Sequence, residues 1–408
     1  MDQLAPRFIS FFGLFVMIGL AWLMSSDRWK ISLRIVIGGL LLQLTFALFI
    51  LKTRLGGVVF QAMGDFFTGI LSFVDAGSEF VFGADYEEHF FAFKVLPTIV
   101  FFSSLMSILY HLGIVQKVVS FFASIMQYVL GTSGAESLSA AANIFVGQTE
   151  APLVVRPYVD SMTQSELMAV MVGGFATIAG GVLAAYVGMG VDAGHLMTAS
   201  VISAPAALLI AKVMQPEVEQ PKTLGHVEVE VEKTTTNIVE AAAAGATDGM
   251  KLAINVAAML IAFLGLIAMG DAIIGWVGSQ FGQEWTIAKL LGYAFAPLAW
   301  VMGIESKDCL AAGELLGLKM MATEFVAYLK YGEWLHPDSP VQLSERSKVI
   351  MTYALSGFAN FGSIGIQIGG IGGIAPDRRA DLARLGFRAM LGGTLACCMT
   401  ACVAGILV

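Results

Sequence analysis

Long apolar runs alternate along this chain with short charged or glycine-rich breaks. The runs at 8–24, 35–51, 95–113, 166–189, 195–213, 238–278, 348–374 and 389–408 are long enough, as helices, to cross a hydrocarbon core of about 30 Å. The pattern predicts an all-α polytopic membrane protein with about eight transmembrane helices. The first run has no small-residue cleavage site before its charged turn and reads as a retained helix. Residues 114–131 and 286–302 mix polar with apolar positions and read as helices lying flat on the membrane surface. Residues 55–92 are apolar at helical spacing but carry Asp65, Asp75, Glu79, Asp85, Glu87 and Glu88, which predicts an amphipathic interfacial segment and a loop. Pro205 predicts a kink within 195–213. The one long polar stretch, 215–237, holds Pro216, Pro221 and an alternating Val/Glu run at 226–232. It favours a solvated linker over a small strand hairpin.

Two places break this pattern with polar residues at membrane depth. In 143–152, Gly147, Gln148, Thr149 and Glu150 are closed by Pro152, which lacks an N–H and restricts Ala151. The expected structure is a helix ending near Val146, a turn, and a second helix starting near Pro152. Both arms are too short to span, so the pair predicts a re-entrant hairpin. Such broken backbone survives in a bilayer only where it is buried in protein or lines a cavity. The following run, 166–189, is interrupted by glycines between Gly173 and Gly181.

The second half of the chain echoes the first. Thr149-Glu150 is matched by Thr323-Glu324, each after a short small-residue helix. Gly174-Phe175-Ala176-Thr177 is matched by Gly357-Phe358-Ala359-Asn360, each inside an interrupted span. The shared order is span, flat helix, hairpin with a Thr-Glu tip, broken helix, span. Counting spans, the first hairpin enters from the cytoplasm and the second from outside. That is an inverted repeat with two opposed hairpins whose tips meet near the mid-plane. The basic cluster at 377–388, with Arg28, Lys30 and Arg34, places those loops in the cytoplasm and both termini outside.

Composition narrows the function. The chain is 57% hydrophobic and 13% charged, with a net charge of −8, which leaves no basic surface for nucleic acid. The five histidines are scattered without metal spacing. Cys309, Cys397, Cys398 and Cys402 form no C-x-x-C pair and read as small buried apolar residues. Gly369 to Gly373 follows no strand pattern and reads as helix packing, and there is no Walker A sequence. With no histidine near any candidate serine or aspartate, a membrane-embedded hydrolase is disfavoured. Two opposed hairpins closing on one site favour alternating access over an open pore.

The tips carry the chemistry. A carboxylate at membrane depth costs about 2.5–3.5 kcal/mol on insertion scales, so Glu150 and Glu324 are expected to serve a pathway or partner. With Gln148, Thr149, Asn360 and Ser363 they make uncharged donors and acceptors around two acids. That suits a neutral, polyhydroxylated ligand: carboxylates accept from ribose hydroxyls, while Gln and Thr can read a base edge. Val182 and Phe358 could supply an apolar face for a ring. Asn143, the Val146 carbonyl, Thr177 and the Ile178 carbonyl offer the oxygen ligands that sodium wants, although Asn143 and Thr177 could equally make helix–helix hydrogen bonds.

The run from Asn143 to Pro157 (Asn-Ile-Phe-Val-Gly-Gln-Thr-Glu-Ala-Pro-Leu-Val-Val-Arg-Pro), with Glu324-Phe-Val-Ala-Tyr328 and Gly357-Phe-Ala-Asn360, resembles the signature of the concentrative nucleoside transporter family, bacterial branch. The likeness runs from about residue 90 to the end. It implies a sodium-coupled nucleoside symporter with no cofactor beyond the coupling ion, not an enzyme, in the bacterial inner membrane. It further implies a homotrimer, an elevator mechanism and a division into scaffold and transport parts. The expected division is 1–131 scaffold, 132–214 first transport part, 215–302 linker, long scaffold helix and flat helix, and 303–408 second transport part. By matching position, Gly147, Gln148, Thr149 and Glu150 would face the base of a nucleoside such as uridine, with Val182 and Phe358 alongside. Glu324, Asn360 and Ser363 would hold the ribose, and Asn143, Val146, Thr177 and Ile178 the sodium. The chain departs from the pattern at Thr323, where relatives often have Asn, and at Thr177, which replaces a Ser and keeps its hydroxyl. The alternative is a proton-coupled symporter of the same fold, with coupling at Glu150 or Glu324.

Overall fold

The computed structural model describes residues 4–89, 91–224 and 235–408, which fold as helices joined by short turns, with no strand among the described residues. The alternating run at 226–232 lies outside them. The first helices are α1 (Leu4–Leu23), α2 (Leu33–Lys52), α3 (Arg54–Phe82), α4 (Leu96–His111) and α5 (Ile114–Leu130). A hairpin follows from α6 (Gly134–Ala142) and two single turns, α7 (Ala151–Val154) and α8 (Arg156–Val159). Then come α9 (Gln164–Ala176), α10 (Gly180–Gly188), α11 (Ala193–Met214), α12 (Ile238–Ser279) and α13 (Ile287–Val301). A second hairpin, α14 (Cys309–Met321) and α15 (Glu324–Leu335), precedes α16 (Glu345–Leu355), α17 (Phe361–Ile374) and α18 (Arg379–Leu407).

Among the described residues, seven stretches are long and apolar enough to cross a bilayer. An eighth, α16 with α17, is divided at 356–360 into pieces of 11 and 14 residues, neither long enough alone. The repeat holds in three dimensions. α5 packs on α6 and α13 packs on α14, so each shorter apolar helix braces the first arm of the hairpin that follows it.

Burial separates two groups. The apolar windows of α9–α10, α11 and α18 are 89%, 100% and 83% buried, against 28% for α1 and α2 and 11% for α12. The peripheral α12 packs along α4 through a Gly245/Gly249 pair. A Cβ at 245 would stand 2.6 Å from Ser103 O, and one at 249 would stand 2.8 Å from Val100 Cα. This is the small-residue seam that lets two apolar helices approach without a hydrophobic drive between them. α11 runs through Pro205 as one 22-residue helix, so the expected kink does not divide it.

Two expectations are corrected. The first arm of the hairpin stops at Ala142, four residues before Val146. Asn143 sends both its backbone N–H and its side-chain Nδ2 to Ser139 O, each at 3.0 Å. Ile144 and Phe145 then fall to the tighter i−3 spacing, bonding Ala141 O and Ala142 O. Residues 215–224 do not trail into solvent either. Pro216, Pro221 and Thr223 are buried, and Thr223 returns to the N-terminus of α6, where its carbonyl accepts from Gly134 N at 2.9 Å and its hydroxyl from Ala135 N at 3.3 Å.

The base of the first hairpin is pinned by charge. α6 and α9 each begin with a capping box, Ser133 with Glu136 and Thr163 with Glu166, satisfying helix N–H groups that would otherwise lack partners. Ser133 Oγ also donates to Glu166 Oε1 at 2.6 Å, joining the two helix starts. Lys212 of α11 reaches into them, 2.6 Å from Glu136 Oε2 and 3.2 Å from Glu217 Oε2, with the lysine and Glu136 fully buried.

Candidate functional site

The site forms where two interrupted helices cross. Between α9 and α10 the chain is extended at Thr177 (φ −128°, ψ 167°) and Ala179 (φ −71°, ψ 143°). Between α16 and α17 it is extended at Asn360 (φ −139°, ψ 163°). The two unwound stretches touch, because Phe358 N donates to Thr177 O at 3.2 Å. Only glycine fits at 357, where a Cβ would stand 2.7 Å from Phe175 O.

Both hairpin tips reach this crossing. Asn360 caps α17, its Oδ1 accepting from Ser363 N at 2.8 Å, and Thr323 caps α15, its hydroxyl accepting from Val326 N at 3.3 Å. Glu324 is thus the first residue of α15, where the free N–H groups favour a carboxylate. Its Oε2 accepts from Asn360 Nδ2 at 2.8 Å and its Oε1 from Tyr186 OH at 3.3 Å, all three side chains being buried. In the first hairpin, Gln148 is buried and its Nε2 donates to Ser363 Oγ at 3.1 Å. Each tip is therefore bonded to the start of α17: Glu324 at Asn360 and Gln148 at Ser363.

The first tip needs glycines around it. A Cβ at 174 would approach Gln148 Cβ to 2.9 Å, and one at 370 would approach Thr149 Cγ2 to 2.9 Å. A Cβ at 147 would collide with the Glu150 carboxylate, which folds back over the turn. Glu150 is the exposed member of the set. Tyr110 of α4 and Asp248 of α12 stand within electrostatic reach of it, so Glu150 faces the peripheral helices. Val182 is buried in the first turn of α10, and Phe358 is buried in the second break.

The expected cation ligands lie on the segments around Gly173 and Gly180. Asn143 Nδ2 lies 3.1 Å from where a Cβ at 173 would stand, and Thr177 Oγ1 donates to Gly173 O at 2.9 Å. Both side chains therefore lie against Gly173. Phe145 O accepts from Gly180 N at 3.3 Å, which lays the Val146 segment against the Ile178 segment. Asn143 Oδ1 is buried and has no hydrogen-bond partner among the described residues. A buried amide oxygen without a partner suits a hard cation such as sodium, and a hydroxyl whose hydrogen is already donated keeps lone pairs to accept one. Among the described residues no group of His, Cys, Asp or Glu is arranged to hold a metal. The four cysteines are buried, as the sequence predicts.

Three residues of the site escape a reading of the sequence. Tyr186 donates to Glu324, as above. Lys319 Nζ, buried, donates to Ala354 O at 2.8 Å in the last turn of α16 and so caps the end of that helix with a charge. Gln367 Nε2 donates to Gln148 Oε1 and to Met171 O, both at 3.1 Å. The available signal was spacing: Gln367 lies four residues after Ser363 on an apolar helix and so shares its face.

Comparison with known proteins adds the following. The family description "Na+ dependent nucleoside transporter C-terminus" matches residues 195–405, its N-terminal counterpart matches 12–85, and "Nucleoside recognition" matches 92–193. An uncharacterized transporter of Haemophilus influenzae is 50% identical over 406 residues, covering 98% of this chain and 97% of its own length. Solute carrier family 28 member 3 of Homo sapiens is 45% identical over 98% of this chain, which spans only 60% of that longer protein. The solved structure of CNTnw in an inward-facing substrate-bound state is 44% identical, with a TM-score of 0.92 and 98% of each chain covered. An outward-facing variant of CNTnw matches with a TM-score of 0.94.

Proposed function

The chain belongs to the sodium-dependent, concentrative nucleoside transporter family, and from that premise we propose how its residues divide the work of transport. It is a multi-pass membrane protein and a sodium-coupled nucleoside symporter with elevator-type alternating access; it is not an enzyme. Glu324 and Asn360 hold the ribose: a buried carboxylate at a helix N-terminus, oriented by Asn360 and Tyr186, accepts from hydroxyl groups that lose water on entry. Ser363 works between ribose and base. Gln148, Thr149 and Glu150 meet the base across the turn at Gly147, with Val182 and Phe358 as the apolar walls for its ring.

The observation that carries this reading is the joining of both tips to one helix start, through Glu324–Asn360 and Gln148–Ser363. A ligand bonded to both tips ties the hairpins into one unit, and that unit can then move without losing its cargo. Asn143, Val146, Thr177 and Ile178 hold the sodium, with the orphaned Asn143 Oδ1 as the first ligand. Sodium at this point stiffens the break beside Gly147 and so organises the base-facing turn. That is the coupling: each ligand lowers the ordering cost of the other.

Helices α9–α11 and α14–α18, with the first hairpin, form the transport part, and α1–α5, α12 and α13 form the scaffold. The apolar, exposed outer face of α12 (Ile254, Ile261, Leu264, Ile273) supports lipid or subunit contact, and a homotrimer built on the scaffold is the proposed assembly. The basic residues at 377–388 face the cytoplasm of a bacterial inner membrane, with both termini outside. The direct test is uptake of labelled uridine into proteoliposomes under an inward sodium gradient, compared with an equal proton gradient. Uptake driven by sodium alone is expected; uptake driven by protons alone would move coupling from Asn143 to a tip glutamate.

A further inference from the structure

Gln367 lies on α17 one turn beyond Ser363 and is fully buried. Its Nε2 makes two hydrogen bonds, to Met171 O and to Gln148 Oε1, both at 3.1 Å. The Met171 carbonyl belongs to the main chain of α9; it can only accept, and it cannot turn over. A primary amide, by contrast, presents either its NH2 or its oxygen according to its neighbours. The carbonyl therefore fixes which end of Gln367 faces α9. The remaining hydrogen of the same NH2 then fixes Gln148, which must turn its oxygen to Gln367 and its NH2 to Ser363 Oγ, 3.1 Å away. Polarity passes in one direction from a rigid carbonyl to the side chain assigned to the base. Gly174 makes the room for this meeting, because a Cβ there would stand 2.8 Å from Gln367 Nε2 and 2.9 Å from Gln148 Cβ. Gln367 Oε1 is buried without a partner among the described residues. A buried amide with an idle oxygen costs stability relative to an apolar side chain, so its NH2 is the end that the position uses.

We propose that Gln367 sets base preference: as a positioning residue acting through Gln148, it fixes which donor and which acceptor the site shows to the nucleoside base. This rests on the assignment of Gln148 to the base. Uridine and cytidine provide the test, since they share ribose and ring but carry opposite polarity on one base edge. Uridine offers an accepting oxygen at C4 and a donating N–H at N3; cytidine offers a donating amine and an accepting nitrogen. Sodium-driven uptake of each is measured with the wild-type protein and with Gln367→Glu, Gln367→Met and Gln148→Ala. A neutral carboxyl at 367, with its hydroxyl in the place of Nε2, donates its one O–H to Met171 O and leaves only a lone pair of that oxygen toward Gln148, turning that amide over. The uridine-to-cytidine ratio of kcat/KM should then shift by at least about fivefold, the worth of one net hydrogen bond. Gln367→Met frees Gln148 to turn and should give a ratio between wild type and Gln367→Glu. Discrimination between uridine and 3′-deoxyuridine, read at the ribose end, should stay at its wild-type value. An unchanged uridine-to-cytidine ratio in both Gln367 variants, with transport of both nucleosides reduced alike, overturns the proposal and leaves Gln367 a packing residue. If Gln148→Ala moves the ratio and the Gln367 variants do not, only this inference fails. If Gln148→Ala also leaves it unmoved, the base assignment of Gln148 fails with it.

Discussion

Phe358 N donates to Thr177 O at 3.2 Å, so the two interrupted helices are joined, main chain to main chain, at their unwound points. Each break exposes backbone groups that a bilayer cannot hydrate, and each supplies part of what the other lacks. The approach depends on Gly357, whose Cα side lies against Phe175 O and Ala176 C, 2.7 and 3.0 Å from a hypothetical Cβ. Gly357→Ala should therefore force the crossing apart at a cost of about 1–3 kcal/mol. Thermal unfolding in detergent should fall, with uptake reduced at least about tenfold. A variant with wild-type melting and uptake would show that the crossing can open without consequence.

Glu324 accepts from Asn360 and Tyr186 while sitting at the start of α15. Hydrogen bonds to an ionised acceptor contribute about 1.5–3 kcal/mol each. Glu324→Ala should lower kcat/KM for uridine by roughly 10- to 100-fold, with Glu324→Gln in between because one acceptor oxygen remains. A double-mutant cycle with 3′-deoxyuridine separates binding from folding. If Glu324 meets the ribose, the missing hydroxyl should cost nothing further in Glu324→Ala. Additive losses would place the carboxylate elsewhere.

The cation site is tested through sodium and not through substrate. Asn143 Oδ1 is the buried oxygen without a partner, and Thr177 keeps lone pairs free by donating to Gly173 O. Asn143→Ala should raise the sodium concentration for half-maximal uptake about tenfold, the effect of some 1.4 kcal/mol, while uptake at saturating sodium persists. Thr177→Ser, which keeps the hydroxyl, should titrate like wild type. An unchanged sodium titration in Asn143→Ala would move the ion to other ligands.

Much of this was legible because membrane depth makes polar residues conspicuous. Glu150, Glu324, Pro152 and the paired Gly-Phe-Ala runs stand out from apolar surroundings that have no use for them, and their repeated order implied the two hairpins. The 41-residue apolar run at 238–278 became α12, Ile238–Ser279, almost to the residue. The end of α6 was not legible. Asn143-Ile-Phe-Val146 has the composition of a continuing helix, and it unwinds because Asn143 bonds back to Ser139 and Phe145 O is claimed by Gly180 N, a contact 35 residues away in sequence. Gln367 was hidden for a similar reason: it looked like one polar residue in a glycine-rich packing helix until Met171 and Gln148 were placed beside it. Thr223 belonged to a polar stretch whose composition gives no sign that it caps α6. Local chemistry announces a site, whereas the partners that orient it come from distant segments.

The ion pair at the foot of the first hairpin shows how firmly that hairpin is held. Glu136 is buried within α6, it accepts from Ser133 N at 2.7 Å, and its other oxygen is 2.6 Å from Lys212 Nζ. The pair is no proof of net stability, since burying two charges costs nearly what their attraction returns. Removing one partner is different, because it strands the other in a place without water. Lys212→Met should destabilise the protein by about 3–5 kcal/mol, measured as a lowered unfolding midpoint in detergent. Glu217, partly exposed, can turn to solvent, but Glu136 cannot. The double variant Lys212→Met with Glu136→Gln should therefore recover most of the loss, since the amide oxygen still accepts from Ser133 N and no charge is left stranded at position 136. A double variant as unstable as the single one would mean that Lys212 stabilises this region through Ser165 and Glu217, to which it also donates at 2.9 and 3.2 Å, and not by neutralising Glu136.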